Sequence, residues 1–378
     1  MQGGVRKRGE NWYYYFEAGK VNGKRKKIER KGGSSKKEAQ AALRKAIAEF
    51  EQKGNSIVES NISVSDYLDY WFKNYVLINC KYNTQQYYRG ILDNHIKPYF
   101  GSYKLKQITS KSLQEFLNKK FIDGFSKSSI ANFNGVLQKA FRMGVDPYNF
   151  IKHNPASTIK LPKFDESLKD DKLKIISRDD FEKIIERFPE GSSFYIPLQI
   201  AFHTGMRASE VCGLTWDYVD LKKGIIKVRQ ILILKGSKVE FGTPKTTSSN
   251  RDILIGETLL NILKRHKENQ EKNKEVYKEY YTNSNFVCTK ENGQVITMNT
   301  LKYLSRVVNY ELCINFNFHS LRHTHATMLL ESGAIPKDVQ KRLGHNRMST
   351  TLDTYSHVTE TMKESTINLF EQFLKNKK

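Results

Sequence analysis

The sequence has few cysteines and no long apolar run, and both absences narrow the classes of protein that it can encode. The four cysteines are widely scattered, with no CxxC pair and no His/Cys cluster at the spacing of a zinc site. They are interpreted as reduced cytosolic thiols. No segment approaches the roughly 18 consecutive apolar residues of a membrane-spanning helix. The basic start MQGGVRKRGE also lacks the apolar stretch of a secretory signal.

Acidic residues are scarce relative to basic ones. The 378-residue chain has 63 Lys and Arg against 40 Asp and Glu, a formal net charge of +23. This excess favours a polyanionic partner. The alternatives are a soluble basic protein without such a partner and a protein that binds a membrane surface. No lipidation motif or strongly basic amphipathic helix supports a membrane, so nucleic acid is preferred. The length and the 38% hydrophobic content predict two or three domains with their own cores.

The first 55 residues carry 15 Lys and Arg against 6 Asp and Glu. The aromatic run Trp12–Phe16 favours a strand, and Asn22-Gly23 favours a tight turn into the next strand. Ser35, with Glu38 at capping-box spacing, begins an alanine-rich helix. Residues 1–55 are therefore predicted to form a small sheet of about three strands with one helix behind it. An ordinary basic module is the alternative, but the basic residues in the strands suggest a sheet face laid against DNA.

Residues 61–160 show apolar residues at helical spacing. Helices are predicted from Thr84 to near Pro98, from Ser110, and from Ser126 to Met143. Asn154-Pro155 is interpreted as the end of the last one. Residues 161–174, LPKFDESLKDDKLK, are charged and aperiodic and are taken as an interdomain linker.

A third domain is predicted over residues 175–361, opened by a helix capped by Ser177. An apolar helix follows from Phe194 to His203. Strands are expected between Gly224 and Val239 and over Arg251–Ile255, with a hairpin loop between them. The rest of the pattern is helical except near Phe286, and the tail at 362–378 is predicted to be an amphipathic helix.

Six residues of this third domain have the side chains needed to hold and cleave a phosphodiester. They are Arg207, Lys245, His319, Arg322, His345 and Tyr355. Arginine binds two phosphate oxygens at once and stays protonated. A lysine can protonate a leaving oxygen, and a tyrosine hydroxyl is a plausible nucleophile once cations lower its pKa. Glu210, three residues after the first arginine, can brace its guanidinium.

Each of these residues alone is more often structural than functional: a surface ion pair, a solvated lysine or a half-buried tyrosine. The run HSLRHTH can also indicate a metal site. No carboxylate ligand accompanies it, however, and an arginine lies within it, so a metal is disfavoured.

The order and wording of the segments carry more weight than any single residue. TGMRASEVCGLTWDYVDL, HSLRHTHATMLLESG and LGHNRMSTTLDTYSHV together resemble the three signature boxes of the tyrosine recombinases, specifically phage and conjugative-transposon integrases. The resemblance covers residues 177–360 in detail and the rest more loosely. It implies a multidomain, mainly α fold with small β-sheets: a ββ(β)α arm-site module, a helical core-site domain and an α+β catalytic domain.

By this resemblance, Tyr355 attacks a DNA phosphate and forms a 3′-phosphotyrosyl link. Arg207, Arg322, His319 and His345 hold the phosphate, and Lys245 is the general acid for the departing 5′-oxygen. No cofactor or metal is implied, neither ATP nor Mg²⁺. The implied partners are double-stranded DNA at core and arm sites, a homotetramer that acts through a Holliday junction, and accessory excision and DNA-bending proteins. The implied location is the bacterial cytosol, at the nucleoid.

Three rival interpretations remain at this stage. A type IB topoisomerase uses similar tyrosine chemistry but relaxes DNA as a monomer. A chromosome-dimer resolvase usually lacks an N-terminal arm module. A non-catalytic DNA-binding regulator fits the composition but leaves the six residues unexplained.

Overall fold

The computed structural model describes residues 3–21, 24–52, 62–164, 174–244, 247–346 and 374. The chain divides into two compact units, Met1–Lys169 and Asp170–Lys378. Each unit contains its own hydrophobic core. No helix in these described ranges is long and apolar enough to cross a membrane.

The first unit opens with an antiparallel sheet of three strands in the order β1-β2-β3. The strands are Gly3–Arg8 (β1), Asn11–Val21 (β2) and Lys24–Gly33 (β3), followed by helix Lys36–Gln52 (α1). Val21 pairs with Lys24, which confirms the expected hairpin between β2 and β3. The backbone N–H of Glu38 donates to Ser35 Oγ at 3.2 Å, and the Glu38 carboxylate accepts from the N–H of Ser35 at 3.3 Å. The predicted capping box is therefore confirmed.

The two faces of this sheet differ in chemistry. Tyr14 and Phe16 are buried on the face that α1 covers. The alternation of β2 places Tyr13 and Tyr15 on the opposite face. There the ammonium of Lys27 lies 3.7 Å from the centre of the Tyr15 ring, and Arg6 pairs with a carboxylate of β3. The face away from the helix is thus aromatic and basic.

The rest of the described part of the first unit, residues 62–164, is mainly helical. Its elements are Val64–Trp71 (α2), a π-helical turn Phe72–Val76, Leu77–Asn79 (α3), Tyr82–Ile91 (α4), a π-helical turn Leu92–Ile96, Lys97–Phe100 (α5), Ser110–Ile122 (α6) and Lys127–Val145 (α7). Helix α7 begins at Ser126 as predicted, and Ser126 is its N-cap, the Oγ accepting from the N–H of Ser129 at 3.3 Å. The apolar stripe of α2 is fully buried and forms the centre of the core.

Two prolines were expected to end helices in this unit, and the structure confirms one of these ends. The helical run from Tyr82 ends at Phe100, two residues after Pro98, as predicted. This proline lies in the first turn of α5, where its missing N–H is tolerated. Helix α7 ends at Val145, nine residues before Asn154. The next residue, Asp146, precedes a proline and is extended, which is the conformation that such a residue prefers.

The described part of the second unit combines helices with two small sheets. Its helices are Arg178–Arg187 (α8), Tyr195–Thr204 (α9), Ala208–Cys212 (α10), Glu257–Tyr277 (α11), Met298–Glu311 (α12), Ser320–Glu331 (α13) and Pro336–Leu343 (α14). Its strands are Val219–Asp220 (β4), Ile225–Val228 (β5), Ile231–Lys235 (β6), Lys238–Gly242 (β7) and Arg251–Leu254 (β8). Ser177 caps α8 as predicted. Helix α9 is buried on nearly all sides because it runs through the core.

The strands pair in a way that corrects one prediction. The sheets have the orders β4-β5-β8 and β6-β7, so β8 pairs with β5 and β7 pairs with β6. Strands β7 and β8 do not pair with each other, so the hairpin expected between them was wrong. Lys245, which follows β7 in sequence, lies outside the described residues. Ile253 faces the core opposite Ile226, and this apolar pairing explains why β8 joins β5.

Candidate active site

Arg207 lies directly after the buried helix α9. Gly205 ends that helix in the left-handed conformation, with φ of 65°, and Arg207 then forms the N-cap of α10. A Cβ on Gly205 would lie only 2.7 Å from a methyl group of Leu343. Glycine is thus required both for the turn and for the close approach of α14. The turn at Gly205 therefore fixes the position of Arg207 at the start of α10.

Arg322 is 2% exposed and lies in the first turn of α13, whose N-cap is His319. Its Nη1 donates to the carbonyl oxygen of Gly205 at 2.8 Å, and its Nη2 donates to that of Leu343 at 2.8 Å. One guanidinium therefore holds together the turn before Arg207 and the end of α14. A planar fork with several donors suits this bridging role.

His345 follows the end of α14. Gly344 adopts the left-handed conformation, with φ of 70°, as expected for a helix C-terminal glycine. The backbone N–H of His345 donates to the carbonyl of Gln340 at 3.1 Å, and the Gln340 amide donates back to the carbonyl of His345 at 3.0 Å. Arg207 Nη2 donates to the carbonyl of Gly344 at 3.2 Å. The segments carrying four of the predicted site residues are thus in contact.

Glu210 braces Arg207 as predicted. The carboxylate accepts from Arg207 Nη1 at 2.7 Å and from its backbone N–H at 2.9 Å. Burial raises the pKa of Glu210, but the positive charges of Arg251 and Arg207 and their hydrogen bonds outweigh this effect and leave the pKa lowered. The group is therefore a carboxylate at neutral pH.

Arg251 is a second partner of the Glu210 carboxylate and was not among the predicted site residues. It donates from Nη2 at 2.9 Å and is 9% exposed. The alternation of β8 contained the signal, because it places this arginine on the same inward face as Ile253. An arginine at a core position of a strand needs buried acceptors.

Arg342 is a half-buried arginine that the sequence-based reasoning also missed. Its Nε donates to His325 Nε2 at 3.0 Å, and its other nitrogens donate to the carbonyls of Leu254 and His203. His325 Nδ1 lies 2.9 Å from the carbonyl of Phe202 and donates to it, because its other ring nitrogen accepts from the arginine. This histidine of the HSLRHTH run is therefore a packing residue. In the described ranges, no group of three or more His, Cys, Asp or Glu is placed to hold a metal ion.

The histidines at the site are neutral at ordinary pH. Burial, together with the charges of Arg322 and Arg207, lowers the pKa of His319 to about 4 and that of His345 to about 3. Neutral imidazoles can donate a hydrogen bond to an oxygen or accept a proton. Since the site is already rich in positive charge, an anion is the ligand that suits it.

An open groove lies beside Arg207 and His319 and gives solvent access to the site. Its lining includes Ser209, Lys302 and Arg306. The two remaining predicted residues, Lys245 and Tyr355, lie outside the described residues, so their roles stay predictions.

The sequence matches known families over most of its length. Residues 174–362 match the Phage integrase family, half of the chain. This chain belongs to the phage integrase family. Residues 63–121 match the Phage integrase N-terminal SAM-like domain, and residues 5–50 match the Arm DNA-binding domain. The family assigns the protein to the tyrosine site-specific recombinases, as the resemblance implied.

Two known proteins are similar to this chain over nearly its whole length. A tyrosine recombinase XerC-like protein of Caldanaerobacter subterraneus is 29% identical over 353 residues, which cover 89% of each protein. The ICEBs1 integrase of Bacillus subtilis is 28% identical over 341 residues, covering 86% of this chain and 87% of that protein.

Solved structures share the fold at lower identity. The Tn1549 transposon integrase, in complex with a circular intermediate DNA, superposes with a TM-score of 0.64 at 21% identity, covering 80% of this chain and 99% of that one. A lambda integrase tetramer bound to a Holliday junction gives a TM-score of 0.58 at 17% identity, covering 92% and 94%. These structures confirm the expected fold class, a multidomain and mainly helical chain with small sheets.

Proposed function

We propose that this protein integrates and excises a mobile DNA element by cleaving and rejoining DNA strands through a 3′-phosphotyrosyl intermediate and a Holliday junction. The bridge from Arg322 to the carbonyls of Gly205 and Leu343 is the observation that supports this most strongly. It holds the arginine and histidine segments against each other in a buried frame. Such a preorganised cationic site suits the trigonal-bipyramidal transition state of phosphoryl transfer.

In this proposal the roles are divided among six residues. Arg207 and Arg322 hold the scissile phosphate, Arg207 directly from the groove and Arg322 by fixing the Gly205 turn against the end of α14. His319 and His345 donate hydrogen bonds to its non-bridging oxygens. Lys245 is the general acid, and Tyr355 is the nucleophile. The neutral state of the two histidines supports hydrogen bonding in either direction.

The reaction then proceeds by two transesterifications. The Tyr355 oxygen bonds to phosphorus while the bond from phosphorus to the 5′-oxygen breaks. The phenolic proton passes to a neutral imidazole of the site, and Lys245 protonates the departing oxygen. A 5′-hydroxyl from the partner duplex later attacks the phosphotyrosine, which reverses these transfers. No free energy source is required, because the bond energy is stored in the covalent intermediate.

The proposed division of labour follows the predicted domains. Residues 1–55 bind arm sites, residues 61–160 bind core sites, residues 161–174 connect them to the catalytic domain at 175–361, and residues 362–378 form a tail exchanged between subunits. The basic, aromatic outer face of the β1-β2-β3 sheet supports the first of these roles. Four protomers act on two duplexes in the bacterial nucleoid, with an excision factor and a DNA-bending protein as accessory partners.

Covalent trapping tests the proposed chemistry. The protein is incubated with nicked duplexes that carry the ends of its own element, with EDTA present, and adducts are separated on a denaturing gel. We expect an adduct from the wild type, none from Tyr355→Phe, and a normal yield from Tyr310→Phe, a control at an exposed tyrosine of α12. Tight DNA binding without any adduct contradicts the proposal and favours the regulator. Relaxation of plasmids lacking the site favours a topoisomerase.

The tail is tested separately. Deletion of residues 363–378 is expected to reduce the yield of synaptic complexes on gels while leaving binding to a single core site intact. An unchanged yield of synaptic complexes contradicts an exchanged tail and places its apolar face against its own subunit.

A further inference from the structure

The carboxylate of Glu210 is shared by two arginines. Arg207 Nη1 lies 2.7 Å from Oε1, and Arg251 Nη2 lies 2.9 Å from Oε2, with Arg251 Nη1 at 3.3 Å from Oε1. Glu210 is 1% exposed, whereas the Arg207 side chain is 31% exposed. The carboxylate is thus enclosed between one guanidinium that reaches solvent and one that does not.

The two arginines differ in what else they can bind. The remaining donors of Arg251 are directed at protein carbonyls: Nη1 lies 3.1 Å from the carbonyl of Ser249, and Nε lies 2.6 Å from that of Arg342. Its guanidinium is therefore committed to the interior. Arg207 lines the open groove beside His319, where a phosphate can reach it. Only Arg207 of this pair is available to a substrate.

The net charge of the cluster formed by Arg207, Glu210 and Arg251 depends on Arg251. A buried carboxylate beside a single guanidinium forms a neutral pair, which attracts a phosphate weakly. With a second guanidinium on the same carboxylate, the cluster carries a net charge of +1. Glu210 can then hold the Arg207 side chain in place while the positive charge toward the groove is retained.

We infer that Arg251 is a positioning residue for recombination: it neutralises Glu210, so that Glu210 orients Arg207 without cancelling the positive charge that Arg207 presents to the scissile phosphate. This inference rests on the proposed function and adds to it a residue that acts through another residue and does not touch the DNA.

A second contact extends the same role to the histidine turn. The hydrogen bond from Arg251 Nε reaches the carbonyl of Arg342, two residues before Gly344. A Cβ on Gly344 would lie 3.2 Å from Arg251 Cδ, so the side chain also packs under that turn. Arg251 thereby supports the position of His345. A lysine keeps the charge at this place but loses the fork that makes these several contacts.

The test compares two scissile groups. Adduct formation is measured on nicked duplexes carrying either the ordinary phosphate or a methylphosphonate, which bears no negative charge. Arg251→Met is expected to slow cleavage of the phosphate by about 100-fold, the effect of losing one preorganised electrostatic contact. On the neutral methylphosphonate the deficit relative to wild type is expected to shrink to a few fold. Arg251→Lys, which keeps the charge, is expected to fall between wild type and Arg251→Met on the phosphate.

Several results overturn the inference. An equal deficit on both scissile groups means that Arg251 is only structural, and no deficit on the phosphate means that it has no role in the reaction. Absence of an adduct from the wild type would instead count against the proposed function itself. The two failures are therefore distinguishable.

A double variant keeps the test decisive if Arg251→Met does not fold. Glu210→Gln with Arg251→Met removes both charges, so no uncompensated buried carboxylate remains. Arg251 then has no carboxylate to neutralise, and its removal costs only the contacts with the carbonyls of Arg342 and Ser249. The double variant is therefore expected to cleave within about tenfold of Glu210→Gln alone. A further loss of about 100-fold would show that Arg251 acts by some other route, and the inference would be wrong.

Discussion

The Nη1 atom of Arg322 lies 2.8 Å from the carbonyl oxygen of Gly205, although 117 residues separate the two in sequence. The same guanidinium reaches Leu343 on its other side. The proposed phosphate-binding site is thus built on a hydrogen bond between two signature segments. Changes at either end of this bond are expected to affect folding and chemistry together.

Replacement of Arg322 by lysine is the first prediction. Lysine keeps the charge but cannot bridge two carbonyls with a planar fork. We expect the free energy of unfolding of the catalytic unit to fall by about 3 kcal/mol, since a buried charge loses partners. Cleavage in the trapping assay should fall by about 100-fold or more. Urea denaturation and adduct yield measure the two effects.

The matched control is Arg178→Lys, at an arginine whose side chain is 81% exposed and which pairs with Glu182 on the surface of α8. We expect a change of no more than about 0.5 kcal/mol there. A loss at Arg322 no larger than at this surface site would contradict the bridging role.

Gly205→Ala is the second prediction. Its φ of 65° costs an alanine about 1 kcal/mol, and the new Cβ would collide with Leu343 and with the His325 ring, 2.9 Å away. We expect a total loss of about 3 kcal/mol in unfolding free energy. Gly333→Ala is the control, since its φ is 86° but nothing lies within 4 Å of its Cβ. The Gly333→Ala variant should lose only about 1 kcal/mol of unfolding free energy. Equal losses in the two variants would show that α14 moves aside for the methyl group added at Gly205.

The third prediction concerns the stability of the fold at acidic pH. Burial and the charge of Arg342 lower the pKa of His325 to about 3, below the ordinary value of 6.5. The unfolded chain therefore binds protons below pH 6.5 that the folded chain does not. The contribution of this neutral histidine to the unfolding free energy is constant above pH 6.5. It is lost as the pH falls from 6.5 toward 3, by up to about 1.4 kcal/mol per pH unit for each such histidine. His319 and His345 act in the same direction.

Urea titrations between pH 7 and pH 4 measure this effect. His325→Gln removes one of the buried imidazoles, and we expect it to flatten the pH dependence of the unfolding free energy. His153→Gln, at an exposed histidine of the first unit, is the control and should leave the slope as it is. A slope unaffected by His325→Gln would mean that this ring does not stay neutral in the folded state.

The fourth prediction tests the sheet face of the first unit. Lys27 and Lys31 are exposed residues of β3, and the strand alternation places them on the face away from α1. Changing both to alanine should weaken arm-site binding and lower the slope of log K against log salt by up to about 2, since each phosphate contact contributes about 0.9.

The control for this face changes the same number of charges elsewhere in the module. Lys37 and Lys45 are exposed residues of α1, on the other side of the sheet. A double alanine variant there should leave the salt slope unchanged when binding is followed by fluorescence anisotropy. Equal effects of the two double variants would mean that the net charge, and not the sheet face, governs binding.

Local signals in the sequence predicted much of the fold. Ser35, Ser126 and Ser177 begin helices as expected, because an N-cap acts on the next three residues and needs no tertiary context. Strand pairing between segments far apart in sequence was harder to predict. Strand β8 pairs with β5 although β6 and β7 lie between them in sequence, and no local pattern distinguishes this pairing from a hairpin.

The sequence predicted which residues form the proposed site but only part of the contacts between them. The wording of the boxes indicated Arg207, Arg322 and His345, since those residue types must converge on a phosphate. Arg251 was missed because its role depends on Glu210, 41 residues away, and on its inward position in a strand. A buried ion pair is a property of the assembled core, which composition and spacing do not reveal.

The separate cores of the two units have an evolutionary consequence. All of the described residues of the proposed phosphate site belong to the second unit and pack around its own core. They include the bridge of Arg322 and the shared carboxylate of Glu210. Mutations in the first unit, to which the proposal assigns recognition of DNA, need not perturb this frame. Changes in the proposed DNA-binding surfaces and preservation of the strand-exchange chemistry can therefore be selected independently.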